Sequence, residues 1–148
     1  MEYKNDFLER EIQKITLFLR KTLSKMVNDD DVFSLQVFNE ELNGKLDFGF
    51  YELLDLKKED LKAKIEGVDV LILEELLKVF YQIGKSKMIT LEHSKLIKSS
   101  LIIIEELENN TKVYSLERQQ IKNYFKSEKK KLKAYFCAHN NITYNEYN

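Results

Sequence analysis

The chain of 148 residues contains no proline, no tryptophan, four glycines and one cysteine. Since proline is the strongest breaker of an α-helix, its absence favours long uninterrupted helices. The single cysteine, Cys137, excludes a disulfide within the chain and a CxxC zinc site. The four glycines form no GxGxxG or GxxxxGK pattern, which excludes a phosphate-binding loop of either kind. These absences predict a helical protein and remove several classes of cofactor site.

No charge of one sign dominates, and no long hydrophobic run is present. The net charge is −1, with 43% apolar and 33% charged residues. That apolar content is too high for an intrinsically disordered chain, and the charge balance argues against a strong overall field for nucleic acid. Apolar runs such as 101–104 fall far short of the roughly 20 residues of a membrane span, and the first residues lack the apolar segment of a signal peptide. We expect a cytoplasmic protein with no membrane partner.

Apolar residues recur at helical spacing along most of the chain. The periodicity predicts six helices, at about 5–27, 32–42, 57–65, 70–83, 91–108 and 116–137. We therefore expect an all-α fold, a compact bundle of about five to seven helices in one domain over residues 1–136. Residues 28–68 are the less regular middle of that domain, and residues 137–148 form a polar tail.

Capping residues and glycines define the predicted helix ends. Asn43-Gly44 predicts a left-handed stop for the second helix, and the acidic run 29–31 favours the start of that helix. Gly84 either ends its helix or lets a neighbour approach. N-caps are expected at Asp55, Asp69, Thr90 and Ser115. In the last helix, the residues expected to face inward are Leu116, Ile121, Phe125, Leu132 and Phe136.

Two apolar features suggest an interaction surface. The first helix carries hydrophobes at alternating spacings of four and three, typical of a coiled-coil seam, although burial against a folded body explains them equally well. Aromatic residues are dense around Gly49 and are expected to be exposed. The predicted surface consists of Ile12, Ile15, Leu19, Phe48, Phe50 and Tyr51. The leading hypothesis is a non-catalytic protein-interaction or structural module, with self-association as one form of that interaction.

A basic patch lies in the last predicted helix, between aromatic residues. It consists of Lys126, Lys129, Lys130, Lys131 and Lys133. Lysines beside aromatics can bind nucleic acid or an acidic partner. Recognition of bases or phosphates usually recruits arginine, however, and the chain has three arginines. We therefore favour a solvated helix face and a protein partner, and keep nucleic-acid binding as an alternative.

The sequence contains no residue pattern typical of catalysis or metal binding. Cys137 and His139 lie two residues apart in the polar tail, and His93 falls in the first turn of a helix, where a surface or capping role is usual. Neither histidine belongs to an HExxH or ExxH pattern. Paired carboxylates occur at Glu40-Glu41, Glu74-Glu75 and Glu105-Glu106. Adjacent helical residues point about 100° apart, so these pairs do not converge. We expect no enzyme activity, cofactor or metal, with a small enzyme holding an unrecognised pocket as a further alternative.

The segment 76–107 resembles a tetratricopeptide-type helical hairpin. LLKVFYQIGK resembles the first helix of that unit, with Leu76 and Phe80 in its apolar positions and Gly84 where the helix ends. LIKSSLIIIEEL resembles the second helix, with Ser99-Ser100 in place of the small residues that allow close packing. The resemblance implies an antiparallel hairpin, and because one repeat is visible it implies no solenoid.

A larger part of the chain, about residues 1–126, resembles an uncharacterised bacterial family of small helical proteins. The matching stretches are DFLEREIQKITLFLRKTL at 6–23 and LLDLKKEDLKAKI at 53–65. They match mainly in hydrophobic spacing. The resemblance implies an all-helical fold and brings no established activity.

Overall fold

The structure is a computed structural model that describes residues 2–28, 33–86 and 92–139. Every regular element within these ranges is an α-helix, which confirms the all-α prediction. The seven helices described are α1 (Glu2–Val27), α2 (Leu35–Leu46), α3 (Phe50–Asp55), α4 (Lys58–Ile65), α5 (Val70–Ser86), α6 (His93–Asn110) and α7 (Leu116–His139). None of them is sufficiently long and apolar to cross a membrane. The acidic run 29–31, Thr90 and residues 140–148 lie outside the described residues.

Helices α6 and α7 pack side by side in opposite directions. His93, the first residue of α6, meets Glu128 in the second half of α7, whereas Glu108 near the end of α6 pairs with Lys122 at 2.6 Å. Contacts at both ends show that the two helices run antiparallel.

Helix α5 lies at the centre and packs against α1, α6 and α7. Its first half meets the start of α7 through Glu74 and Arg118, and its second half meets the middle of α7 through Tyr81 and Tyr124, whose rings are 5.1 Å apart. Helix α5 therefore runs parallel to α7 and antiparallel to α6. The start of α5, the end of α6 and the start of α7 lie at one end of the bundle.

The short helices α3 and α4 cover α6. Ser99 Oγ donates a hydrogen bond to the carbonyl oxygen of Leu53 at 3.0 Å, which joins α6 to α3. The fully buried Phe50 packs edge-on against Phe80 at 5.2 Å and contacts Phe38 of α2 at 6.0 Å. The buried apolar side chains from all seven helices belong to one cluster.

Two of the predicted caps in the middle segment are wrong. Helix α2 continues through Asn43 and Gly44, and the left-handed residue that ends it is Asp47, with φ 63°. The continuation places Leu46 against the core, and that burial favours helix over a stop at Gly44. Asp55 is the last residue of α3 and caps nothing, because α4 begins after Lys57.

Other predicted caps are confirmed. Asp69 Oδ1 accepts a hydrogen bond from the Leu71 N–H at 2.9 Å, and Ser115 Oγ accepts one from the Arg118 N–H at 3.1 Å. Gly84 does not end α5, which continues to Ser86. A Cβ at that glycine would lie 3.3 Å from the hydroxyl oxygen of a tyrosine on α7, so the role of Gly84 is close approach. Helix α7 continues to His139, beyond the predicted end at 137.

Candidate functional site

Four large apolar side chains are exposed at the end of the bundle where α5 and α7 begin. Leu71 is 60% exposed, Val113 73%, Tyr114 72% and Leu116 64%. Leu71 lies in the first turn of α5, Val113 and Tyr114 lie in the α6–α7 connection, and Leu116 is the first residue of α7. We call these four residues the end surface. The prediction that Leu116 faces inward is wrong, because it precedes the first residue of α7 that reaches the core.

The α6–α7 connection that carries much of the end surface is fixed by Arg118. Its side chain is buried, and one guanidinium nitrogen, Nη2, donates to the carbonyl oxygen of Val113 at 2.8 Å while the other, Nη1, pairs with Glu74. Within the connection, Thr111 Oγ1 accepts a hydrogen bond from the Val113 N–H at 3.2 Å. The backbone of Val113 is therefore bound through both its N–H and its carbonyl group. The buried side chain of Arg118 therefore links this exposed apolar loop to α5.

A second ion-pair network lies beside the first, around Glu75. This carboxylate is buried and faces Arg20 Nε at 3.1 Å and Lys78 Nζ at 3.4 Å, while Lys78 also pairs with Glu117 at 3.4 Å. The network joins α1, α5 and α7. Since two cations already surround its carboxylate, Glu75 acts as a cross-link between helices.

The predicted interaction residues are covered by the fold. Leu19, Phe48 and Phe50 are buried in the core, and Ile12, Ile15 and Tyr51 are half-buried against it. The expectation that the aromatics near Gly49 are exposed is wrong, because α2, α3 and α5 enclose them. The apolar seam of α1 is also covered, because α1 packs along α5. These six residues present no apolar patch comparable with the end surface.

The basic patch lies on the second half of α7. Lys126, Lys130, Lys131 and Lys133 are exposed and Lys129 is half-buried. Lys131 pairs with Glu128 at 3.6 Å.

His93 and Tyr124 converge on Glu128 near the start of α6. His93 Nε2 lies 3.6 Å from Glu128 Oε1, and each of the two side chains is 20% exposed. Burial raises the pKa of Tyr124 to about 12, with smaller contributions from the charge of Glu128 and a hydrogen bond to it. At neutral pH Tyr124 is therefore a firm hydrogen-bond donor. The arrangement fixes Glu128 against the body of the protein and leaves it little capacity for another ligand.

The remaining chemical candidates lie at the end of α7. Cys137 is exposed and lies in α7, with His139 as the last residue of that helix. Among the residues that the structure describes, no group of three or more His, Cys, Asp or Glu side chains could hold a metal ion.

Sequence reasoning missed the end surface and Arg118. A signal was present, because Val113 and Tyr114 are large apolar residues in a polar break between two helices, where exposure is expected. Arg118 is also one of three arginines in a chain rich in lysine. What the sequence could not show is that Arg118 reaches back to Val113 and across to Glu74.

Comparison of the chain with protein-family models, curated proteins and solved structures finds no match. The bacterial family and the tetratricopeptide-type hairpin therefore stay predictions. What can be said of function rests on the end surface and the charged networks around it.

Proposed function

We propose that this protein is a non-catalytic protein-interaction module and that the end surface is its contact site. The observation that carries the proposal is the bond between the buried Arg118 and the exposed loop at Val113. Exposed apolar clusters on soluble proteins commonly mark interaction sites. Here the backbone of one residue of the cluster, Val113, is also fixed by hydrogen bonds, which lowers the entropy lost when a partner binds.

The arrangement is costly if it serves stability alone. Burying the Arg118 guanidinium requires desolvation of a charge, and an apolar side chain at that position would pack without this penalty. The guanidinium donates to the Val113 carbonyl oxygen, and the side chains of Val113 and Tyr114 stay exposed. A defined shape for the exposed loop is the benefit that such an ion pair supplies.

The partner that best fits this surface is a second copy of the same chain. An apolar patch is complementary to itself, and a two-fold contact would bury Leu71, Val113, Tyr114 and Leu116 from both copies at once. The exposed residues beside the patch carry opposite charges, Lys112 before Val113 and Asp69 before α5. A two-fold contact can therefore place unlike charges together at its rim.

The molar mass in solution tests this proposal. Light scattering during gel filtration, over a range of loading concentrations, is expected to show a dimer for the unchanged protein. The double substitution Val113→Asp/Tyr114→Asp should give a monomer, because it places charges within an apolar contact. Leu17→Asp is the matched control, since Leu17 is 52% exposed on α1 and lies outside the end surface. A monomer at every concentration, or equal loss of dimer in the control, would overturn self-association.

A further inference from the structure

Helix α1 separates its charges along its length. Its carboxylates lie in the first half and end at Glu11, and the next acidic residues in the chain are those of the run 29–31. Residues 12–28 contain four cations and no acidic residue. One of the four is Arg20, which pairs with the buried Glu75. The remaining three are exposed and consist of Lys14, Lys21 and Lys25.

The exposed cations belong to a stripe on the side of α1 that faces away from the core. Members of the stripe recur at spacings of three and four, so they lie above one another over about 27 Å of helix. The stripe is turned roughly 150° around the helix from the fully buried Leu19. All of its residues are exposed, and we call them the outer face: Phe7, Arg10, Lys14, Leu17, Lys21 and Lys25.

The outer face combines cations with large apolar side chains and contains no carboxylate. Among the described residues, no ion pair involves Arg10, Lys21 or Lys25. Lys14 pairs with the neighbouring carboxylate one turn earlier at 3.4 Å and is still 72% exposed. The two apolar members lie between these cations, with Phe7 63% and Leu17 52% exposed. Neither the charges nor the apolar groups of the outer face are therefore used to hold the fold together.

We propose that the outer face of α1 binds the surface of a membrane that contains anionic lipid. Clusters of about four or more lysines and arginines on a helix attract anionic headgroups. Their apolar stems can lie along the acyl boundary while the charged ends reach the phosphates, which leaves room for Phe7 and Leu17 to enter between them. Because the outer face runs along a single helix, all of its groups can reach a flat surface at once.

The expectation that the protein has no membrane partner rested on the lack of a long apolar run and of a signal peptide. Both features concern the crossing of a bilayer, and neither is needed for contact with its surface. The sequence also shows the basic stretch 12–28, but it could not show which side of α1 the core covers.

Nucleic acid and an acidic protein are the competing partners of such a face. Contact with a phosphate backbone gains nothing from the exposed Phe7 and Leu17, whereas the boundary of a bilayer takes up both. A helix of another protein would need an apolar group at about every turn of the contact, and Phe7 and Leu17 are about 15 Å apart. Frequent cations with sparse apolar groups between them therefore favour lipid.

Co-sedimentation with phosphatidylcholine vesicles that contain about 30% phosphatidylserine, at about 100 mM salt, tests the proposal. The full chain is expected to bind these vesicles, to be released at about 500 mM salt and not to bind pure phosphatidylcholine. The variant Lys14→Gln/Lys21→Gln/Lys25→Gln should bind at least about tenfold more weakly. Absence of binding to the anionic vesicles would overturn the proposal, and so would equal binding to both compositions.

The matched control is Lys57→Gln/Lys126→Gln/Lys130→Gln, which makes the same change in net charge at exposed lysines outside α1. Its affinity for the anionic vesicles should stay within about twofold of that of the unchanged protein, because salt screens distant charges. Equal losses in the two triple variants would overturn the proposal in favour of net charge.

A tryptophan reporter separates lipid contact from the competing partners, because the chain contains no tryptophan of its own. Leu17→Trp places an indole on the outer face, and Val37→Trp places one at a 48% exposed position on α2. Anionic vesicles should shift the emission of Leu17→Trp to shorter wavelength and leave Val37→Trp unchanged, since tryptophan enters the interfacial region of a bilayer. A shift in both variants, or in neither, would overturn the proposal.

Discussion

Asn39 of α2 caps α3 across a tertiary contact: its Oδ1 accepts a hydrogen bond from the Tyr51 backbone N–H at 3.0 Å. Gly49 makes this possible, because a Cβ at position 49 would lie 2.6 Å from Asn39 Oδ1. The backbone of Gly49 is extended, with φ −99° and ψ 171°, which any residue adopts. The requirement for glycine here is therefore one of space alone.

We predict that Gly49→Ala destabilises the fold and that Asn39→Ala partly relieves this effect. The added methyl group must displace the Asn39 amide, at a cost of about 1–3 kcal/mol, and Asn39→Ala alone should cost about 1 kcal/mol for the lost cap. Urea unfolding of both single variants and the double variant measures the coupling. The double variant should be more stable than the sum of the single losses predicts. Simple additivity would show that the two residues do not share this site.

The adjacent residues Ser99 and Ser100 should respond to alanine in opposite directions. Both are buried, but Ser99 Oγ donates to the Leu53 carbonyl oxygen at 3.0 Å, whereas Ser100 Oγ has no hydrogen-bond partner among the residues that the structure describes. We expect Ser99→Ala to lower the free energy of unfolding by about 1 kcal/mol and Ser100→Ala to raise it by a similar amount. Chemical denaturation measures both. Since both changes gain the same helix propensity, the difference between the variants is the informative quantity.

Removal of Arg118 should destabilise the protein more than removal of Arg20. Arg118→Met leaves Glu74 and the Val113 carbonyl oxygen without the guanidinium, and we expect a loss of about 2–4 kcal/mol. Arg20→Met should cost no more than about 1 kcal/mol, because Arg20 is 63% exposed and Lys78 still faces Glu75.

Thermal unfolding and amide hydrogen exchange test the Arg118 prediction. Exchange at the Val113 N–H should rise in Arg118→Met and stay unchanged in Arg20→Met, because Arg118 donates to the Val113 carbonyl oxygen whereas Arg20 pairs with Glu75. Similar losses of stability in the two variants would show that burial of the ion pair is energetically unimportant. Unchanged exchange at Val113 would show that Arg118 does not fix the loop.

Stability should fall in alkaline solution partly through Tyr124. Its pKa is raised to about 12 in the folded protein, against about 10 in an unfolded chain. Between these values the unfolded chain loses the phenolic proton while the folded protein keeps it. The contribution is therefore present in full below pH 10 and is lost as pH rises toward 12.

Lysines also titrate in this pH range, so the contribution of Tyr124 has to be separated from theirs. The variant Tyr124→Phe does this, because it removes the phenolic proton and keeps the lysines. Between about pH 10 and 12, the free energy of unfolding of the unchanged protein should fall by up to about 1 kcal/mol more than that of the variant. The effect is no larger because Tyr124 is half-buried and solvent screens its charge. Urea unfolding at successive pH values measures this difference. Parallel curves for the two proteins would contradict the raised pKa of Tyr124.

Part of the candidate sites could be read from the sequence. The cluster of lysines at 126–133 is visible there, but the orientation of Glu128 is not, because that depends on the approach of His93 from α6. The residues Val113 and Tyr114 are visible as hydrophobes in a break. Their fixed backbone depends on Arg118, whose partners come from α5 and the preceding connection.

The sequence by itself determined the helical class and the apolar face of each long helix, because helix formation and its 3.6-residue period depend on neighbours one turn apart. It also identified Asp69 and Ser115 as caps, since each bonds to the backbone of its own helix. Only the tertiary structure decided that Phe48 and Phe50 are buried while Val113, Tyr114 and Leu116 are exposed. Helical periodicity shows that a face is apolar, but whether another element covers that face depends on contacts between residues far apart in the chain.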